Sequence, residues 1–195
     1  MPNELIRISD NYVFIKLDKP EKIEENEVRV GFLVHRETKK ILLFIDVVKG
    51  LAKNQKQTMA FADIYSNKKT GDKIGLILVD DITFYLDFVI TACGYTMLIH
   101  ELGHFLNDFF DESKADYSKR RNEALKKEIV MDEEYRADEL VVRECGIDKF
   151  ADAIEWMRVV RKNRFLSKNE ENLRLALFEF DKRLEHAIEY AKTIE

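Results

Sequence analysis

Proline is almost missing from this chain. Pro2 and Pro20 are the only two in 195 residues, so everything after position 20 can run as long uninterrupted helices. Cysteine is as scarce: Cys93 and Cys145 stand 52 positions apart and match no metal or redox spacing. That excludes a disulfide framework and predicts a reduced, cytoplasmic setting. A long hydrophobic run is lacking too. The longest weakly polar stretch, Phe88 to Ile99, has 12 residues, against the roughly 20 that a membrane-spanning helix needs. Met1 to Val13 carries Glu4, Arg7 and Asp10 and cannot supply the apolar core of a secretory signal. These features predict no membrane association. The chain also lacks a basic face. Its net charge is −5 with both signs interspersed, and the one basic cluster, Lys119-Arg120-Arg121 with Lys126-Lys127, is short and flanked by acids. Nucleic acid is therefore excluded as a partner. Histidine is the last scarcity. Of four in the chain, His100 and His104 lie within five residues of each other.

What is present is an ordinary core-forming composition, 46% hydrophobic and 35% charged, at a length that fits a single domain over 1–195. Residues 1–80 read mainly as β. Val28, Val30, Phe32 and Val34 alternate with Arg29, Gly31, Leu33 and His35, the period of a half-buried strand. A polar link at 36–40 leads into the apolar run Ile41 to Val48, so the two form a hairpin. Tyr12 to Leu17 and Ile74 to Val79 are further strands, and Leu51 to Tyr65 reads as a helix closed by the turn at 67–71. From residue 84 the period becomes helical. Phe84 to Phe110 is apolar nearly all round, the mark of a buried helix. A polar loop over 111–118 comes next, then helices over about 121–145 and 148–164 with Gly146 as the break, and a last helix from an N-cap at Asn169. Strands succeeded by helices give an α+β class.

Residues 100–104 read His-Glu-Leu-Gly-His. On a helix, positions i and i+4 project from one face a turn apart, so His100 and His104 can bind one Zn²⁺ together. Glu101 lies beside them, within reach of a metal-activated water as general base. Two imidazoles and a carboxylate in an otherwise apolar helix would each cost free energy if buried unpartnered, and a metal removes that cost. Catalytic zinc takes three protein ligands and leaves one position open. For the third, a carboxylate is the better candidate. The helix over 121–145 has an apolar stripe through Val130, Met131, Val141 and Cys145, and Glu134 and Asp138 fall on it at i and i+4. Glu134 is the expected ligand, or Glu133 if the helix is rotated. Asp138 is placed to accept from the far nitrogen of a ligand histidine. Ala137 between them is small enough for close helix approach.

The pair H-E-L-G-H and Glu134-Tyr135-Arg136-Ala137-Asp138 resembles the gluzincin metallopeptidases, most nearly a soluble catalytic core of the CaaX prenyl protease and HtpX heat-shock protease family. Gly146-Ile147-Asp148 and the helix from Ala151 to Met157 are similar to that family's Gly-hydrophobic-Asp and helix sequence, so the likeness covers about 88–160. It implies a zincin-like α+β fold: an N-terminal antiparallel sheet, a buried active-site helix and a C-terminal helical part. It further implies zinc ligands His100, His104 and Glu134, with Glu101 as base, in a zinc metalloendopeptidase acting on a peptide or protein substrate. Zincins hold their substrate on a strand edge, for which Ile74 to Val79 is the nominee.

Two departures stand out. That family is usually membrane-embedded, and its late His-Pro has no counterpart here, so the residue stabilising the transition state does not carry over. His186 is a candidate by elimination, yet its helix points Leu177, Leu184, Ile188 and Ala191 inward, which makes His186 a surface residue near Arg183. Tyr117, Tyr135 and Arg143 are no better supported, and His35, at a strand end, reads as structural. Two alternatives stand beside the peptidase. One is a regulatory protease of the ImmA/IrrE type, which shares H-E-L-G-H. The other is a zinc-stabilised, non-catalytic binding or assembly module, which would have no need of Glu101.

Overall fold

The structure is a computed structural model that describes residues 4–51, 59–66, 71–107, 114–165 and 170–194. It is α+β, and the chain divides into two compact units, Met1–Tyr95 and Thr96–Glu195. The division falls in the first turn of a helix, later than the change of sequence period near residue 80.

The first unit is built on six strands: β1 (Glu4–Arg7), β2 (Tyr12–Glu24), β3 (Glu27–His35), β4 (Ile41–Val48), β5 (Met59–Ser66) and β6 (Lys73–Asp80). Their order in the sheet is β1-β2-β3-β4-β6-β5. All neighbours are antiparallel except β4 and β6, which run parallel from Leu43↔Gly75 to Val48↔Asp80. The expected antiparallel sheet is thus a mixed one. Its central pair carries the most apolar runs, and Leu43, Ile45, Ile77 and Val79, which share one face, are wholly buried. The hairpin of β3 and β4 forms as the alternation predicts, but register shifts at Arg29/Gly31 and Leu33/Val34 change its phase. Leu33, read as an outward residue, is wholly buried, while Phe32 is half-buried. Gly31 is required where β3 crosses β2, because a Cβ there would collide with the carbonyl of Ile15 and the ring of Phe14.

Three sequence expectations for this unit change. The helix read over 51–65 is strand β5 from Met59 onward; 52–58 lie outside the described residues. Met-Ala-Phe-Ala favours helix locally, but pairing with β6 from Met59↔Val79 to Ser66↔Lys73 overrides that weak preference. The nominated edge, Ile74 to Val79, is internal: β6 is hydrogen-bonded to β4 on one side and β5 on the other, which leaves no free ladder for a peptide. The continuous helix from Phe84 is also interrupted. Helix α1 (Asp81–Phe84) passes into a π-helical segment, Tyr85–Ile90, and α2 (Cys93–Leu106) starts anew. Ala92 is left-handed at φ 62°. The Thr91 hydroxyl donates to the carbonyls of Leu86 (3.1 Å) and Asp87 (3.2 Å), taking acceptors that a continuing helix would use. No single helix among the described residues is long and apolar enough to cross a membrane.

The second unit is helical: the rest of α2, then α3 (Lys114–Lys126), α4 (Asp132–Cys145), α5 (Ile147–Phe165) and α6 (Glu170–Ile194). The single helix expected over 121–145 is two, α3 and α4. After α3 the chain closes on itself, with the amides of Lys127 and Ile129 both donating to Ala124 and Glu128 left-handed at φ 55°. Residues 114–118, expected as loop, belong to α3; 108–113 and the Asn169 cap lie outside the described residues. Gly146, at φ 88°, ends α4 as predicted. Helix α4 packs on α5 and α6, and Val141, Phe150, Ala153, Ile154 and Ala187 are completely buried.

Candidate metal centre

Helix α2 supplies His100, Glu101 and His104, and helix α4 supplies Glu134 and Asp138. What lets them meet is a contact between small residues. Gly103 lies against Ala137 so closely that a Cβ on Gly103 would stand 2.7 Å from the Ala137 Cα and 3.1 Å from its Cβ. Ala137 is legible in the sequence as the small residue of this approach; its partner Gly103 is visible only in the crossing itself.

At that crossing the Nε2 atoms of His100 and His104 lie 3.1 Å apart. Glu134 faces both, with Oε2 3.5 Å from His100 Nε2 and Oε1 3.9 Å from His104 Nε2. The three residues offer donor atoms all within 4.8 Å of one another and could hold a metal ion. A tetrahedral ion with bonds of about 2.0–2.1 Å sets neighbouring donors roughly 3.3 Å apart, so the spacing fits one small ion with little movement. Asp138 sits behind the pair, its Oδ1 2.8 Å from His100 Nδ1, which leaves Nε2 to face the cluster. The fallback ligand is elsewhere: Glu133 pairs with Arg120 at 2.8 Å.

Helices α3 and α6 add Arg183 and Arg121, which the sequence does not assign to the site, and Tyr117, one of the weakly supported candidates for the transition-state residue. Arg183, almost completely buried, grips Asp138 through Nε to Oδ2 (2.7 Å) and Nη2 to Oδ1 (2.6 Å) and reaches Glu134 Oε2 at 3.3 Å. Arg121 bonds Glu179 at 2.7 Å and approaches Glu134 Oε1 at 3.5 Å. The Tyr117 hydroxyl donates to Glu134 Oε1 over 2.7 Å. The inward face expected for α6 is accordingly turned: Leu175, Glu179, Arg183, Ala187 and Ala191, an unbroken i+4 series, are buried, and Ile188 is exposed. That series was visible in the sequence. Arg183 inside it reads from sequence as polar surface beside His186.

These contacts set the protonation states of the metal-free centre. Burial and the Arg183 charge oppose a proton on His100, but Asp138 and Glu134 outweigh them and push it up to about 9. His104 goes the other way: burial, then the charge on His100, bring it down to about 3. Burial works against a charged Glu134, yet Arg121, the His100 hydrogen bond and Arg183 hold it well below the usual carboxylate range. Asp138 is held low against burial chiefly by Arg183. Glu101, half-buried, is raised by burial and by Glu134, with His100 opposing.

The other candidates lie apart from this network. His186 Nε2 is 2.9 Å from Glu139 Oε1 and its ring stacks on Tyr135 at 4.3 Å, a partly exposed pair that accounts for both residues. Arg143 is exposed and approaches its neighbour Glu144 at 3.8 Å. His35 is a structural residue of the sheet unit, with Tyr12 edge-on at 5.6 Å and the Thr38 amide donating to its Nδ1. Compared with known proteins, the chain matches no family model, no curated protein and no solved structure.

Proposed function

We propose that this protein is a zinc-dependent metallopeptidase of gluzincin type, working in the cytoplasm on a peptide or protein substrate. The observation that carries the reading is the meeting of two imidazoles and Glu134 at ligand spacing, with Glu101 adjacent to the first of them. A donor set of two nitrogens and one carboxylate oxygen suits zinc and leaves a coordination position open. A bound zinc would supply Lewis-acid polarisation and a water acidified to a pKa of about 7.

The chain's own residues do the rest. Asp138 accepts from His100 Nδ1, which fixes the tautomer and aims the Nε2 lone pair; Arg183 holds Asp138 in turn. Glu101 takes a proton from the attacking water and returns it to the leaving amine nitrogen. A purely structural site has no use for such a carboxyl and normally closes with a fourth protein ligand.

Zinc stoichiometry and cleavage of a fluorogenic peptide library, measured for wild type and Glu101→Gln, test the reading. Both proteins are expected to bind one zinc and only wild type to cleave. One zinc in each with no cleavage by either would overturn the peptidase and favour the binding module.

A further inference from the structure

Three side chains crowd Glu134 from outside α2: Arg183, Arg121 and Tyr117. The two guanidinium groups are committed. Arg183 spends Nε, Nη1 and Nη2 on Asp138 and Glu134 and is almost completely buried; Arg121 is clasped by Glu179 and Glu134. Tyr117 differs in three respects. It is uncharged, it is only half-buried, and its hydroxyl carries a single donated hydrogen bond, 2.7 Å to Glu134 Oε1. Its ring stands edge-on to His104, with centroids 6.1 Å apart. The O–H group therefore lies at the Glu134 edge of the ligand cluster, on a ring that stands beside His104.

Its helix is anchored for that position. Arg121, one turn on along α3, ties the same face to Glu179 of α6 at 2.8 Å, and the Arg120 guanidinium lies over the Tyr117 ring at 5.5 Å. Hydrolysis of an amide builds negative charge on the former carbonyl oxygen, and a donor already in place beside it lowers the barrier without reorganisation. A phenol is such a donor, able to change acceptor by rotating its side chain.

We propose that Tyr117 is the donor to that oxyanion, resting on Glu134 Oε1 in the substrate-free protein and turning to the substrate oxygen when one is bound. No bond to the phenol oxygen is made or broken; the proton stays on it and only its acceptor changes. The proposal rests on the metallopeptidase reading and completes it, since no transition-state residue could be carried over from sequence.

The test uses the full chain loaded with Co²⁺, in wild type and Tyr117→Phe, titrated with acetohydroxamate as an oxyanion-bearing probe and monitored by visible absorbance. Turnover of the peptide library is measured alongside. Tyr117→Phe is expected to take up one Co²⁺ with an unchanged spectrum, to bind acetohydroxamate at least about 10-fold more weakly, and to lose roughly 10²–10³-fold in kcat with little change in KM. Tyr117→His, which restores a ring donor, should regain part of the probe affinity; this also covers the case in which the Phe variant folds poorly. Unchanged probe affinity, or loss of Co²⁺ from Tyr117→Phe, would overturn the proposal, the latter because the phenol would then be a prop for Glu134. Tyr117-dependent probe binding by a wild type that cleaves no peptide would overturn the peptidase reading and support the donor role.

Discussion

Arg183 on α6 and Asp138 on α4 form a fork-to-carboxylate pair, 2.7 Å and 2.6 Å long, with neither side chain exposed to any useful extent. A pair of this kind gives little net stability over an apolar alternative, but breaking it leaves a charge stranded. Arg183→Met should therefore destabilise the metal-free protein by about 3–5 kcal/mol, read as a shift of the denaturant midpoint at constant slope. Arg183→Lys, which keeps the charge but not the fork, should lie between the two.

Gly103 tests the helix crossing. A methyl group there meets Ala137 backbone, which cannot swing aside, so Gly103→Ala should push α2 and α4 apart. The expected cost is about 1–3 kcal/mol, together with a fall in metal affinity measured by competition against a chromophoric chelator. Undiminished affinity would mean that the ligands do not depend on this contact.

The carboxylate assignment separates neighbours. Glu134→Gln should lose metal by at least about 10-fold in affinity, because the carboxylate whose two oxygens face the two imidazoles loses its charge. Glu133→Gln removes only a partly exposed pair with Arg120 and should bind metal as wild type does. Metal content after gel filtration distinguishes the two.

The metal-free protein should have a stability optimum near pH 6.5. His100 is raised from 6.5 to about 9, so its contribution is complete below 6.5 and is lost as pH rises through 9. His104 is lowered from 6.5 to about 3, so the folded state refuses a proton that the unfolded chain accepts, and stability falls as pH drops from 6.5 towards 3. Each arm has a limiting slope of about 1.4 kcal/mol per pH unit. Denaturation of chelator-stripped protein at pH 5, 6.5 and 8.5 measures both. Saturating Zn²⁺ should release a proton from His100 and flatten the alkaline arm.

His186→Ala should leave metal content and turnover within about two-fold of wild type, since that ring is accounted for by Glu139 and Tyr135. A large loss of turnover would return His186 to the centre.

The parts of the site legible in sequence were those with a short period. His100, His104, Glu134 and Asp138 are each spaced a helical turn from a partner, and Ala137 marked the contact. Arg183, Arg121 and Tyr117 act across helices, from sequence distances at which no periodicity speaks. Arg183 in particular looked like solvent-facing charge, because a buried arginine is recognisable only from the two carboxylates that meet it. The strands read from alternation formed, whereas β5 was hidden by local helix preference and the break at Ala92 by a threonine that competes for carbonyls. The first is decided by the strand that lies opposite, the second by a local side-chain bond that apolar periodicity does not register.

The parallel pairing of β4 with β6 also has a consequence in time. Leu43 meets Gly75, 32 positions later, so the centre of the sheet cannot zip until β6 has closed that long loop. The helices after residue 96 owe much of their structure to local contacts and face no such wait. Pulse-labelled hydrogen exchange during refolding should protect the amides of α4 to α6 before those of β4 and β6, so that the ligand-bearing end of the chain is ordered while the sheet is still searching for its register.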